Sequence, residues 1–142
     1  MSRKTAREQV YKLIYERCVN GEADNFSLEL CLQDISSEDE IFIRKLYEGV
    51  NEKYEFLKTV IEKYAKGFAF ERIFKLDCAL IMVASYEILF LDDIPVGVSV
   101  NEAVEFAKQY STEKSRSFVN GILASVVANK EELTEEALNE QG

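Results

Sequence analysis

A chain of 142 residues without a single histidine has no imidazole to act as general base near neutral pH, and it lacks the usual nitrogen ligand for zinc. Three cysteines, Cys18, Cys31 and Cys78, are odd in number and widely spaced, which suits reduced thiols filling apolar space better than a disulfide framework or a metal knuckle. Asp92-Asp93 stands before Ile94-Pro95 as adjacent carboxylates at a turn, with no third ligand in sight. Gly97-Val98-Ser99-Val100-Asn101 resembles a nucleophile elbow only superficially, because the final glycine is missing and no histidine exists to activate the serine. No phosphate loop and no dinucleotide fingerprint is present. No catalytic residue, metal or cofactor is therefore expected. What remains is chemistry without bond making. Arg3, Lys4 and Arg7, followed by Tyr11 and Tyr15, are residue types that hold phosphate and stack on bases.

The formal charge of −9 argues at first against a polyanionic partner. Its distribution changes that judgement. Residues 131–142 carry five glutamates and no base, and without them 21 acids face 17 bases, a balance of −4. The first seven residues carry Arg3, Lys4 and Arg7 and no acid, so a local basic patch survives.

These side chains must be positioned by helices. One proline and six glycines leave too little punctuation for hairpins, and the apolar content is ample for a core. Ala6, Val10, Leu13, Ile14 and Cys18 recur at helical spacing and predict a first helix over about 3–19, ending near Asn20-Gly21. On another side the i, i+4 series Arg3, Arg7, Tyr11, Tyr15 forms a drifting basic and aromatic stripe. Asn25 can cap a short helix through Gln33, and Ser37 with Glu40 has capping-box spacing. From Ile43 to Tyr64 the apolar stripe fits one long helix or two broken near Gly49 to Asn51. Lys66-Gly67 interrupts the pattern, and Ile73, Leu76, Leu80, Ala84, Ile88 and Leu91 restart it in the most hydrophobic helix.

Pro95 stops that helix, a loop is expected after it, and Ser99 with Glu102 would open the next, with Ala103, Val104, Ala107 and Tyr110 inward. Phe118, Val119, Ile122, Leu123 and Val126 mark a further helix, in which Gly121 calls for a close helix contact or a backbone approach. The acidic stretch after Lys130 adds a final exposed turn or helix. The expected architecture is all-α, two small packed bundles of about seven helices in a single domain. Its halves are about 1–66 and 67–130, meeting near Gly67, with an acidic tail over 131–142. No window reaches the length of a membrane span, and the basic start is followed by no apolar signal core, so a cytoplasmic location is expected.

Several short strings, in order, then carry a resemblance. They are Ala6-Arg7-Glu8, Tyr86-Glu87, Ile94-Pro95, Asn101-Glu102-Ala103-Val104-Glu105 with Ala107-Lys108, and Phe118-Val119-Asn120-Gly121-Ile122-Leu123. Together, from the first helix to about residue 127, they resemble the NusB transcription antitermination factors. The resemblance implies two helical bundles. It also implies a role in binding boxA RNA together with NusE, a small-subunit ribosomal protein, within the elongation complex and its other Nus factors, on ribosomal RNA operons. Carried over by position, it points to Arg3, Lys4, Arg7, Lys114, Arg116, Phe118 and Asn120 for RNA, with Tyr11 joining them as a stacking ring. For the protein partner it points to Tyr15, Glu71 and Asp77. The sequence departs from the family pattern in having fewer arginines at its N-terminus and in Met82, where relatives often carry a basic residue.

Each candidate also has a structural reading. Arg3, Lys4 and Arg7 can be a solvated helix start, although cations there oppose the helix dipole by ~0.3–1 kcal/mol. Phe118 lies on the apolar stripe, where core packing is the default. Asn120 projects away from that stripe, where an amide can read a base edge or face water. The competing function is a helical protein-interaction module with weak or no RNA binding, which the acidic balance permits. A helper domain of an RNA methyltransferase is a third reading, which the lack of any cofactor-binding α/β segment disfavours.

Overall fold

The computed structural model describes residues 1–141; Gly142, the end of the acidic tail, lies outside the described residues. They form eight α-helices and a 3-10 turn at Phe70–Arg72, one helix more than the seven expected, and no strand among the described residues. In order, α1 is Arg3–Asn20, α2 Asn25–Cys31, α3 Ser37–Glu52, α4 Tyr54–Tyr64, α5 Lys75–Phe90, α6 Val96–Tyr110, α7 Glu113–Ala128 and α8 Lys130–Gln141.

The helix α5 is the axle. Residues Cys78 to Ala84 are fully buried on all sides, which is why this stretch reads as apolar without a polar face. It packs against α1, α3, α4, α6, α7 and α8, so the N-terminal helices and the C-terminal hairpin α6–α7 share one core through it.

Helix ends follow local chemistry. At the start of α1, Ser2 Oγ accepts from the Thr5 amide, and Gly21 closes the helix with φ +85°, a left-handed position that glycine takes without strain. Two caps lie one residue earlier than the spacing suggested. Asp24, not Asn25, accepts from the Phe26 and Ser27 amides, and α2 stops at Cys31, short of Gln33. Ser36, not Ser37, accepts from the Asp39 amide at the start of α3. The stripe over 43–64 is two helices, broken at Lys53 rather than at Gly49 to Asn51.

The largest local correction is at Pro95. No loop follows it: Val98 N and Ser99 N donate to its carbonyl, so α6 begins at Val96 with proline's fixed φ of −59° preset for entry. Ser99 is therefore inside the helix, and its hydroxyl serves a buried contact described below rather than a cap. Tyr110 is 56% exposed, not inward, because α6 ends there and the buried line along it runs through Ser99, Ala103, Phe106 and Ala107.

Gly121 also departs from expectation, since it lies on the exposed face of α7 and a Cβ there would meet nothing within 4 Å. Gly121→Ala should raise stability by about 0.5–1 kcal/mol, read as a higher melting temperature. A lower melting temperature would show that the α7 face is not free. The acidic tail is not merely exposed, because Leu133 and Ala137 of α8 are buried in the core and Lys63 of α4 bridges Glu132 at 3.8 Å and Glu136 at 3.2 Å. No helix of the described residues is long and apolar enough to cross a membrane.

Candidate nucleic-acid interface

Seven of the residues singled out from the sequence, Arg3, Lys4, Arg7 and Tyr11 on one side and Asp77, Lys114 and Phe118 on the other, fall into two groups at the two ends of α5. Asp77 and Glu87 mark those ends, ten residues and so roughly 15 Å apart along the helix axis.

At the Glu87 end stands the start of α1. Arg3 Nη2 lies 3.5 Å from Glu38 of α3, with its guanidinium 4.1 Å from the centre of the Phe42 ring. Lys4 Nζ is 3.8 Å from Glu102 of α6. Both cations are about half exposed, and such pairs contribute only ~0–1 kcal/mol, so either charge can turn to a phosphate at little loss.

Arg7 and Tyr11 are different, and here the sequence reading is corrected. Arg7 is 4% exposed and Tyr11 1%. Arg7 Nε donates to Glu87 Oε2 at 2.9 Å and Nη2 to Oε1 at 3.0 Å, a two-pronged pair that Ser99 Oγ completes by donating to Oε1 at 2.9 Å. Burial acts against both charges, lowering the guanidinium's hold on its proton and raising the carboxyl, and the pairing with Glu87 more than restores the former. Tyr11 packs edge-on to Phe106 of α6 with centroids 5.0 Å apart, so its ring is already used. The cause is that α5, with Phe106 of α6, covers the face of α1 that carries Arg7 and Tyr11, while its first turn stays free.

At the Asp77 end, the segment between α4 and α5 and the first turn of α7 enclose an open groove of about 340 Å³. Lys114 and Phe118 line it from α7, and the Phe118 ring meets Phe68 edge-on at 6.1 Å. Phe68 and Phe74 are 57% and 63% exposed, which is unusual for rings this large. Arg72 and Lys114 complete the rim, and neither makes an ion pair within the described residues. The amino ends of α5 and α7 both open here, adding the positive ends of two helix dipoles. Asp77 lies at the floor, buried rather than on a free partner surface, and burial pushes its carboxyl above the ordinary range, with Ser115 beside it acting the other way.

The other candidates are dispersed. Arg116 pairs with Glu113 one turn back at 3.6 Å, and Asn120 is exposed on α7. Tyr15 is 43% exposed on α1, and Glu71 is exposed within 3.9 Å of Lys58. Sequence reasoning missed Phe68, Arg72 and Phe74. The signal was there: a run of aromatic residues from Phe68 to Phe74 in which helical periodicity fails, so that Phe70 and Ile73 turn inward and the other two rings have no stripe to join.

A family model described as the NusB family matches residues 4–128. The transcription antitermination protein NusB of Ruminiclostridium cellulolyticum is 41% identical over 128 residues, covering 89% of this chain and 88% of the relative. That of Finegoldia magna is 41% identical over 133 residues, covering 92% and 97%. Among solved structures, T. maritima NusB superposes with a TM-score of 0.86 at 29% identity, covering 95% of this chain and 98% of the other. A NusB chain solved with NusE and double-stranded RNA gives a TM-score of 0.79 at 22% identity, covering 89% and 96%, a likeness of fold alone.

Proposed function

This chain belongs to the NusB family, whose curated members are transcription antitermination proteins, and from that premise we propose that it binds single-stranded boxA-type RNA jointly with NusE. In this reading it works without chemistry, holding RNA and a ribosomal protein together so that each interface strengthens the other by linkage, and it thereby promotes processive transcription of ribosomal RNA operons with the other Nus factors. The observation that carries it is the groove at the Asp77 end of α5, where exposed aromatic rings stand beside two cations, Arg72 and Lys114, that make no ion pair among the described residues. Aromatic faces and unpaired cations together are what an unstacked, charged strand requires. Arg3 and Lys4 at the far end of α5 extend the positive track. Tyr15 and Glu71 are left exposed for the protein partner.

The test is fluorescence anisotropy of labelled boxA RNA and of a scrambled control, titrated with the protein with and without NusE at two salt concentrations. Selective binding that NusE enhances is the expected result. Lys4→Glu and Lys114→Glu should each weaken binding and lower the slope of log affinity against log salt by about 1. Equal affinity for boxA and scrambled RNA under every condition would replace this reading with that of a protein-interaction module. Reversing Arg7 is the wrong probe, since its charge is spent inside the fold.

A further inference from the structure

The negative charge of the chain is concentrated on one side. Residues 21–48 carry eight acids and two bases, a balance of −6 out of the chain's −9. This segment holds α2 and most of α3, and three of its acids gather around a single guanidinium. Arg44 of α3 lies 2.9 Å from Glu40, 2.9 Å from Glu29 of α2 and 3.8 Å from Glu48. Three carboxylates share one cation, so two negative charges are left over at that spot, and the carboxylates are 43% to 62% exposed.

The same bridge sets three large apolar side chains around it. Phe26 lies one helical turn before Glu29 and Leu30 beside it, while Ile41 lies one turn before Arg44. These side chains are 71%, 51% and 67% exposed, although Leu28 and Ile43 on the opposite faces of the same helices are buried. Neither helix needs an apolar residue on its water side to form, and exposed apolar groups gathered inside a polar rim mark a protein contact.

Charge decides the kind of partner. A nucleic acid or an anionic lipid surface would be repelled by the unbalanced carboxylates, so the occupant is cationic. No strand edge exists among the described residues to which an extended peptide could add, whereas a helix can lay an apolar stripe across two neighbouring helices. We propose that the α2–α3 face docks a basic amphipathic helix of a partner protein, with its apolar stripe on Phe26, Leu30 and Ile41 and its lysines or arginines against Glu29, Glu40 and Glu48. None of these residues belongs to the RNA or NusE surfaces proposed above, so the contact is an additional one.

The probe is a labelled synthetic peptide with leucines at i, i+3, i+4 and i+7 and lysines elsewhere, beside a peptide of the same composition whose order breaks the stripe. Both are titrated with the full chain and followed by fluorescence anisotropy. The striped peptide should bind at least about tenfold more tightly than the scrambled one. Phe26→Ser combined with Leu30→Ser, which alters only exposed side chains, should weaken it about tenfold. Glu40→Gln with Glu48→Gln should weaken it about threefold and flatten its salt dependence, whereas Glu131→Gln with Glu135→Gln on α8 should leave it unchanged. Equal binding of the two peptides, undiminished binding in the Phe26 and Leu30 double variant, or an equal loss in the α8 variant overturns the docking face and reduces the effect to general attraction between opposite charges. Displacement of the striped peptide by saturating NusE also overturns it, assigning the face to the partner already proposed. Concentration-dependent dimerisation of the chain that the Phe26 and Leu30 double variant abolishes overturns it as well, assigning the face to a second copy.

Discussion

Glu87→Ala should destabilise the protein by about 3–5 kcal/mol, a large part of the whole stability of a domain this size. Glu87 is fully buried, and its removal leaves the Arg7 guanidinium inside the core with no counter-charge and Ser99 with no acceptor. Arg7→Ala leaves the converse, a buried carboxylate held by one hydroxyl, and should come out similarly. The pair ties α1 to α5, and Ser99 adds α6, so the loss falls on three helices at once. Urea unfolding followed by circular dichroism measures it. The double replacement of Arg7 and Glu87 by methionine should recover much of the loss, since a well-packed apolar pair avoids the desolvation that the ions suffer. Single variants within about 1 kcal/mol of the parent would mean that water reaches the pair and that it does not hold the helices together.

The second large effect is expected at Gly49. Alanine is ordinarily the better helix former by up to about 1 kcal/mol, and Gly49 sits inside α3, so helix propensity alone predicts a gain. The tertiary contact reverses the sign. A Cβ at this position would lie 2.7 Å from Tyr86 Cε2 and closer still to Cζ and Oη, and the ring is itself packed on Phe90 with centroids 5.1 Å apart. Displacing it should make Gly49→Ala destabilising by about 1–3 kcal/mol. In a Tyr86→Ala background the obstacle is gone, and the same change at Gly49 should become neutral or stabilising. Thermal unfolding of the four proteins in this cycle decides the matter, and a penalty that persists without the Tyr86 ring would trace the effect to the backbone instead.

Much of the fold was legible without coordinates because helix formation is local. The apolar spacing of Ala6, Val10, Ile14 and Cys18, the stop at Gly21, the unbroken apolar run at Cys78 to Ala84 and the end of α5 ahead of Pro95 each act within a few residues. The ordered strings from Ala6-Arg7-Glu8 to Phe118-Val119-Asn120-Gly121 also carried the family likeness that the comparisons establish. Periodicity says which residues share a face, however, and not what covers that face. Arg3, Arg7, Tyr11 and Tyr15 share a drifting side of α1, yet Glu87, 80 residues further along the chain, removes Arg7 from solvent, and Phe106 does the same to Tyr11. In the same way nothing local joins Phe68 and Phe74 to Asp77, Lys114 and Ser115. They meet because α5 and α7 begin side by side in the packed molecule. Sequence alone determined the helices, their order and the family; packing decided which charges are free, since burial depends on elements that only chain folding brings together.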